Sequence, residues 1–134
     1  MRYLLMPGML FVAVATAQDF SSPEKLIAAG EYRQALAALE NISPATARRH
    51  LLASKALDGL DEPARAVSEA EAGLELDPRN ESLHLQLAQI FLSRNTPQAA
   101  YEVFSDAQRL FPDSILVQLG KGLALKDQIG RAHV

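Results

Sequence analysis

The residues best suited to metal chemistry are two histidines, His50 and His84, which lie on two different predicted helices. A histidine that binds zinc places an imidazole nitrogen about 2 Å from the ion. To share one ion, both histidine rings must therefore reach the same position. Helix axes that pack side by side are about 8–10 Å apart, which keeps equivalent residues of neighbouring helices from converging. We therefore predict no metal site and interpret both histidines as one repeated packing position. The third histidine, His133, belongs to the final seven residues of the chain.

A hydrolase-like trio, His50, Ser54 and Asp58, lies along one predicted helix. Residues spaced by four follow one another along a helix face. They cannot converge there as nucleophile, base and orienting acid beside an oxyanion hole. The chain also has no cysteine, and no glycine-rich phosphate loop follows a predicted strand. We predict no catalytic residue, no cofactor and no enzyme activity.

Four carboxylates lie close together between residues 69 and 77. They are Glu69, Glu71, Glu75 and Asp77. No glycine-bearing loop of the calcium-binding type accompanies them. We interpret this stretch as a solvated helix face.

The chain has the size and composition of one soluble domain, with 134 residues, 49% hydrophobic and 22% charged. Thirteen Lys and Arg against sixteen Asp and Glu give a net charge of -3. A nucleic-acid-binding domain of this size is expected to be strongly basic. Composition therefore argues against nucleic acid as the partner.

Residues 1–17 follow the three-part pattern of a secretory signal peptide. Arg2 provides the positive start, residues 3–14 are almost wholly apolar, and Ala15 and Ala17 are the small residues before a cleavage site. The apolar run is shorter than the roughly 20 residues of a spanning helix. We predict export to the periplasm or secreted space, with no stable membrane span after cleavage. The alternatives are an uncleaved anchor and a buried N-terminal helix.

Helix signals recur through the remaining chain. A proline stands at the expected first helical residue in four places: Ser22-Pro23, Ser43-Pro44, Glu62-Pro63 and Thr96-Pro97. Two other prolines follow expected helix ends, in Asp77-Pro78 and Phe111-Pro112. After these, Asn80 and Asp113-Ser114 can cap the next helices. The predicted helices span about 23–29, 31–41, 44–58, 63–75, 81–93, 97–110 and 114–127. No strand-like alternation separates them.

The helices repeat with a fixed period of about 34 residues. The clearer copy contains His84, Leu87, Ala88, Phe91, Ala100, Phe104, Ala107 and Pro112. The copy one period earlier contains His50, Ala53, Ser54, Leu57, Ala66, Ala70, Gly73 and Pro78, in which the large residues have become smaller. This pattern resembles the tetratricopeptide repeat, with His84 and Ala88 in place of the usual Trp and Gly. The resemblance implies an all-α solenoid of antiparallel helix pairs. A generic helical bundle is the alternative.

Segments 23–42 and 114–127 resemble partial repeats on either side of the complete units 44–78 and 81–112. The predicted repeat domain is therefore 18–127. In one back-translation, residues 129–134 resemble the start of a common sequencing adapter, and Gln128 fits the codon before it. We predict that this tail is not part of the gene, that the natural sequence is known only to about Asp127, and that the natural protein is longer than this chain. The alternative is a genuine short tail.

The resemblance implies a concave groove lined by the first helix of each unit. Three ladders, each stepping by one period, are expected to face it: Leu51, Leu85 and Leu119; Lys55, Gln89 and Leu123; Asp58, Leu92 and Lys126. Their mixed character suits a peptide or partner helix. The alternative is that the leucines pack against a further repeat.

The sequence thus predicts a non-catalytic protein-interaction scaffold of the envelope or secreted space, with a protein or peptide partner. One alternative is the N-terminal repeat region of a larger exported enzyme or assembly factor. Another is a self-association module that uses the leucine-rich last helix.

Overall fold

The computed structural model describes residues 18–132. The predicted signal peptide and His133 lie outside the described residues. Within 18–132 the chain is all α-helical, without strands. The helices are α1 (Ser21–Ala28), α2 (Tyr32–Glu40), α3 (Ala47–Gly59), α4 (Pro63–Leu76), α5 (Glu81–Ser93), α6 (Pro97–Leu110) and α7 (Ile115–Ala132). No helix in this part of the chain is long and apolar enough to cross a membrane.

Four helix starts agree with the sequence signals. Helices α4 and α6 begin at Pro63 and Pro97, where the missing proline N–H costs no helical hydrogen bond. Asn80 caps α5, because its Oδ1 accepts a hydrogen bond from the Leu83 N–H at 3.1 Å. The Ser114 Oγ accepts one from the Val117 N–H at 3.2 Å in the same way.

Three predicted helix bounds are wrong. Helix α1 begins at Ser21, one residue before the predicted cap Ser22. Helix α3 begins at Ala47 instead of 44, because Thr46 provides the cap by accepting a hydrogen bond from the Arg49 N–H at 3.3 Å. Helix α7 continues to Ala132, past the predicted end at 127.

A left-handed residue ends the first helix of each complete pair. These residues are Gly30, Asp61 and Asn95, with φ of 80°, 63° and 64°. The backbone N–H of the next residue donates a hydrogen bond back to a carbonyl oxygen of the helix, at 2.8–2.9 Å. The three bonds run from Glu31 to Leu26, from Glu62 to Leu57 and from Thr96 to Phe91. This is the hydrogen-bond pattern of a Schellman-type helix end. The three turns therefore mark equivalent points of successive repeats.

The helices form a solenoid of antiparallel pairs. Each helix packs on the next, and the first helix of each unit also packs on the first helix of the next unit, as α1 on α3, α3 on α5 and α5 on α7. Ala35, Ala66 and Ala100 are fully buried in the second helices. Gly120 lets α7 approach α6 closely, since a Cβ there would overlap the Phe104 ring.

Candidate binding groove

Helices α5 and α7 bring five of the nine predicted groove residues together. They are Leu85, Gln89, Leu92, Leu119 and Leu123, which line a shallow cavity of about 200 Å³. Their spacing of three or four residues places them along one face of each helix. We call this surface the α5–α7 groove.

The α5–α7 groove also contains three residues that the ladders missed. Leu116 extends the α7 side by one helical turn, and Phe104 and Gly120 form the base between the helices. Leu116 stands three residues before Leu119, so helical spacing alone could have identified it. Gly120, four residues after Leu116 and three before Leu123, lies on the same face of α7. Phe104 could not be identified by spacing, because it lies on α6 and its place depends on how closely α6 and α7 pack.

The leucines of α7 give the groove its apolar character. Leu116, Leu119 and Leu123 are 60%, 59% and 47% exposed, although leucine is usually buried. Grouped apolar side chains at a protein surface are typical of interaction sites. The α7 side of the groove can therefore gain free energy by burying these side chains against another molecule.

A charged residue of α7 points away from the groove. Lys121 stands one period after Leu87, which is buried in the preceding repeat. Its Nζ donates a hydrogen bond to Gln108 Oε1 at 2.8 Å and lies 5.2 Å from the centre of the Tyr101 ring. Leu85 is only half-buried, whereas Leu51, which packs in one cluster with Leu87, is buried.

The other four ladder residues lie outside the cavity. Leu51 is only 8% exposed and packs in an apolar cluster with Leu83 and Leu87, so it belongs to the core. Lys55 and Lys126 are exposed at positions that do not line the groove. Asp58 is half-buried and forms an ion pair.

Arg94, which the sequence analysis missed, is the partner of Asp58. Its Nη2 lies 3.1 Å from Asp58 Oδ1, and its Nη1 donates a hydrogen bond to Asp61. These bonds, from Asp61 first and Asp58 second, raise the pKa of the Arg94 guanidinium. An arginine side chain is protonated at neutral pH even without this shift. The positive charge of Arg94 therefore links the end of α5 to the end of α3.

The residues of the rejected hydrolase trio have separate partners. His50 Nδ1 lies 2.6 Å from Glu69 Oε2, and the buried Ser54 hydroxyl donates a hydrogen bond to the Ala66 carbonyl at 2.7 Å. Asp58 forms an ion pair with Arg94. The three side chains therefore do not form one constellation.

The two histidines occupy different environments. His84 Nε2 lies 2.9 Å from the Pro78 carbonyl oxygen, and its ring meets Phe111 edge-on at 5.9 Å. His50 instead pairs with Glu69. Over residues 18–132, no three His, Asp or Glu side chains come together as a potential metal site. In the acidic stretch, Glu69 is half-buried and Glu71, Glu75 and Asp77 are exposed.

Solved structures share this arrangement of helices. The Arabidopsis OM64 TPR domain matches with a TM-score of 0.68 at 15% identity, over 78% of this chain and 88% of its own. MamA matches with a TM-score of 0.70 at 17% identity, over 83% of this chain and 62% of its own. PcrH, solved in complex with the chaperone binding region of PopB, matches with a TM-score of 0.65 at 15% identity, over 81% of this chain and 90% of its own.

No family model and no curated protein sequence matches the chain. The structural matches show the fold: the chain is a TPR-like, all-α helical solenoid, as its sequence predicts.

Proposed function

We propose that this chain is a non-catalytic protein-interaction scaffold that holds a peptide or a partner helix in the α5–α7 groove. The observation that carries this proposal is the meeting of Leu85, Leu92, Leu119 and Leu123 around one cavity. An amphipathic helix or an extended peptide with apolar anchors would bury these side chains. The partner is thus expected to present two or more large apolar residues on one face.

The fold supports this function. PcrH, which has the same fold, is solved with the chaperone binding region of PopB. The conformation needed here is already formed, because α5 and α7 pack on each other directly and through α6. Preformed grooves lose little free energy to ordering when they bind.

We further propose that the scaffold works in the periplasm or secreted space. The support is the composition of residues 1–17, with one charge at Arg2 and a small-residue end at Ala17. Expression of the full chain in a bacterium, followed by cell fractionation and mass determination, tests this. We expect a periplasmic product that begins at Gln18. A cytoplasmic product that retains Met1 would contradict it.

A displayed library of short random peptides tests the groove. Peptides selected on the wild-type chain are measured by fluorescence anisotropy against Leu119→Asp and Leu76→Asp. The second variant is a matched control, since Leu76 is also 59% exposed but lies on α4, outside the groove. We expect Leu119→Asp to weaken binding at least about tenfold, as one buried apolar anchor does.

Unchanged affinity in Leu76→Asp would assign the binding energy to the groove. Equal loss in both variants, or no selected peptide that responds to Leu119→Asp, would contradict the proposal. Circular dichroism of each variant confirms that the helices remain folded.

A further inference from the structure

A second cavity, of about 270 Å³, lies between α2, α3 and α4. It shares no lining residue with the α5–α7 groove. We call it the α2–α4 cavity. Its base is apolar and includes Leu36, Ala53 and Leu57, and its rim is charged. An apolar base with a few charged groups at the rim is the usual composition of a small-molecule site.

The cavity exists because the sequence places charged or smaller side chains where the next repeat has larger apolar ones. One period after Arg49, Ala53, Leu57 and Glu69, the chain has Leu83, Leu87, Phe91 and Val103. These four later side chains pack in one apolar cluster in the next repeat. The cavity is thus encoded by specific replacements at positions that otherwise form core.

Most of the charged groups at the rim are already paired. His50 lies against Glu69, with 2.6 Å between Nδ1 and Oε2. Arg65 forms an ion pair with Glu62, with 2.6 Å between Nη1 and Oε2. His50 and Arg65 therefore already have acidic partners within the protein.

Arg49 is the exception among the cations of the rim. It is half-buried at a position where the next repeat has a fully buried leucine, Leu83. Its guanidinium forms no ion pair or hydrogen bond with any residue of the described chain. Glu40, the exposed carboxylate of the rim, is also outside ion-pairing distance of it. A guanidinium binds a carboxylate through two parallel hydrogen bonds.

We propose that the α2–α4 cavity binds a small organic acid with one carboxylate and a short apolar body. The carboxylate pairs with Arg49, and the body lies on Leu36, Ala53 and Leu57. We expect the ligand to carry a single negative charge, because the carboxylate of Glu40, which has no ion-pair partner among the described residues, repels a polyanion at the rim. The cavity is slightly smaller than the roughly 300–1,000 Å³ of drug-sized sites, so the ligand is small. This inference does not depend on the function proposed for the groove.

Nuclear magnetic resonance titration of the isotope-labelled full chain tests the proposal with sodium hexanoate, and with hexanamide as the uncharged analogue. We expect hexanoate to give saturable shifts in α2, α3 and α4, and hexanamide to bind at least about tenfold more weakly. The difference is the expected value of a charge-assisted pair with Arg49.

Three variants assign the contacts. Arg49→Gln is expected to weaken hexanoate at least about tenfold and to leave hexanamide unchanged. Arg33→Gln is the matched control, an exposed arginine of α2 that does not line the cavity. Ala53→Leu installs the side chain found at Leu87 and is expected to remove binding of both compounds by filling the base.

Equal affinities for hexanoate and hexanamide would overturn the proposal, as would an unchanged hexanoate affinity in Arg49→Gln. Shifts confined to α5, α6 and α7 would also overturn it, because they would place the compound in the other groove. Should Arg49→Gln fail to fold, Ala53→Leu still decides the site: unchanged binding in that variant excludes the cavity.

Discussion

The two junctions between successive helix pairs use the same positions but contain different side chains. Between α2, α3 and α4, Arg49, Ala53 and Leu57 surround a cavity. Between α4, α5 and α6, the residues one period later form an apolar cluster that includes Leu83 and Leu87. The turn residues and the buried alanines are common to both. The comparison shows that the residues that set helix geometry are separable from those that fill the space between the pairs.

The largest difference in stability between the two junctions is expected when Leu83 and its counterpart Arg49 are each replaced by alanine. Leu83→Ala should lower the free energy of unfolding by about 2–5 kcal/mol, since Leu83 is fully buried and its loss leaves a cavity. Arg49→Ala, at the equivalent position, should change it by less than about 1 kcal/mol, because Arg49 has no described partner. Urea unfolding followed by circular dichroism measures both. Similar losses in the two variants would remove the distinction between the junctions.

A smaller and equal effect is expected at the positions that both junctions share. Ala66→Leu and Ala100→Leu should each cost about 1–3 kcal/mol, because both alanines are fully buried in the second helix of their pair. Ala37→Leu, at an exposed alanine of α2, is the control and should lie within about 0.5 kcal/mol of wild type. Thermal unfolding measures the stability of the three variants relative to wild type. A cost at only one of the two buried sites would mean that the pairs differ in geometry as well as in filling.

Filling the cavity should stabilise the chain. Ala53→Leu copies Leu87 and is expected to add about 0.5–2 kcal/mol, a usual gain for filling a cavity. Ala56→Leu is the matched control on α3, since Ala56 is fully buried but does not line the cavity. It should destabilise the chain in the same urea experiment. If both variants lose stability, the α2–α4 cavity has no room for the added methyl groups.

The smallest expected effect is a pH dependence confined to the first pair. Hydrogen bonds from the hydroxyl and the backbone N–H of Ser21 lower the pKa of Asp19 below its ordinary value of 3.8. A lowered pKa in the folded state stabilises α1 above about pH 3.8, and that contribution is lost as the pH falls through the folded value. Amide hydrogen exchange in α1 at pH 5 and pH 3 measures it. In Asp19→Asn the change in α1 between these pH values should be smaller.

The helix bounds could be predicted where a proline or a cap marks them. Helices α4, α5 and α6 agree with the prediction to within one residue, because Pro63, Asn80 and Pro97 mark their starts. The start of α3 was misplaced at Pro44. Proline at a first helical position is common but not decisive, and here Thr46 caps the helix instead.

The groove could be predicted only in part. Leu85 and Leu119 follow from the repeat period, but Leu51 at the same position is covered by the apolar cluster of the next pair. The pairs Asp58–Arg94 and His50–Glu69 were missed, because their members lie 36 and 19 residues apart and meet only through packing between helices. Periodicity gives the helix face of a residue and not the partner that its side chain reaches.

The order of contacts along the solenoid has a consequence for folding. Within residues 18–132, each helix packs only on its immediate neighbours or on the helix two places away. Structures built from such local contacts have low contact order, and their folding tends to be fast. Nucleation in any one helix pair can then spread by adding an adjacent pair. Because Leu83 and Leu87 pack in one apolar cluster between α4, α5 and α6, we expect folding to begin at this junction.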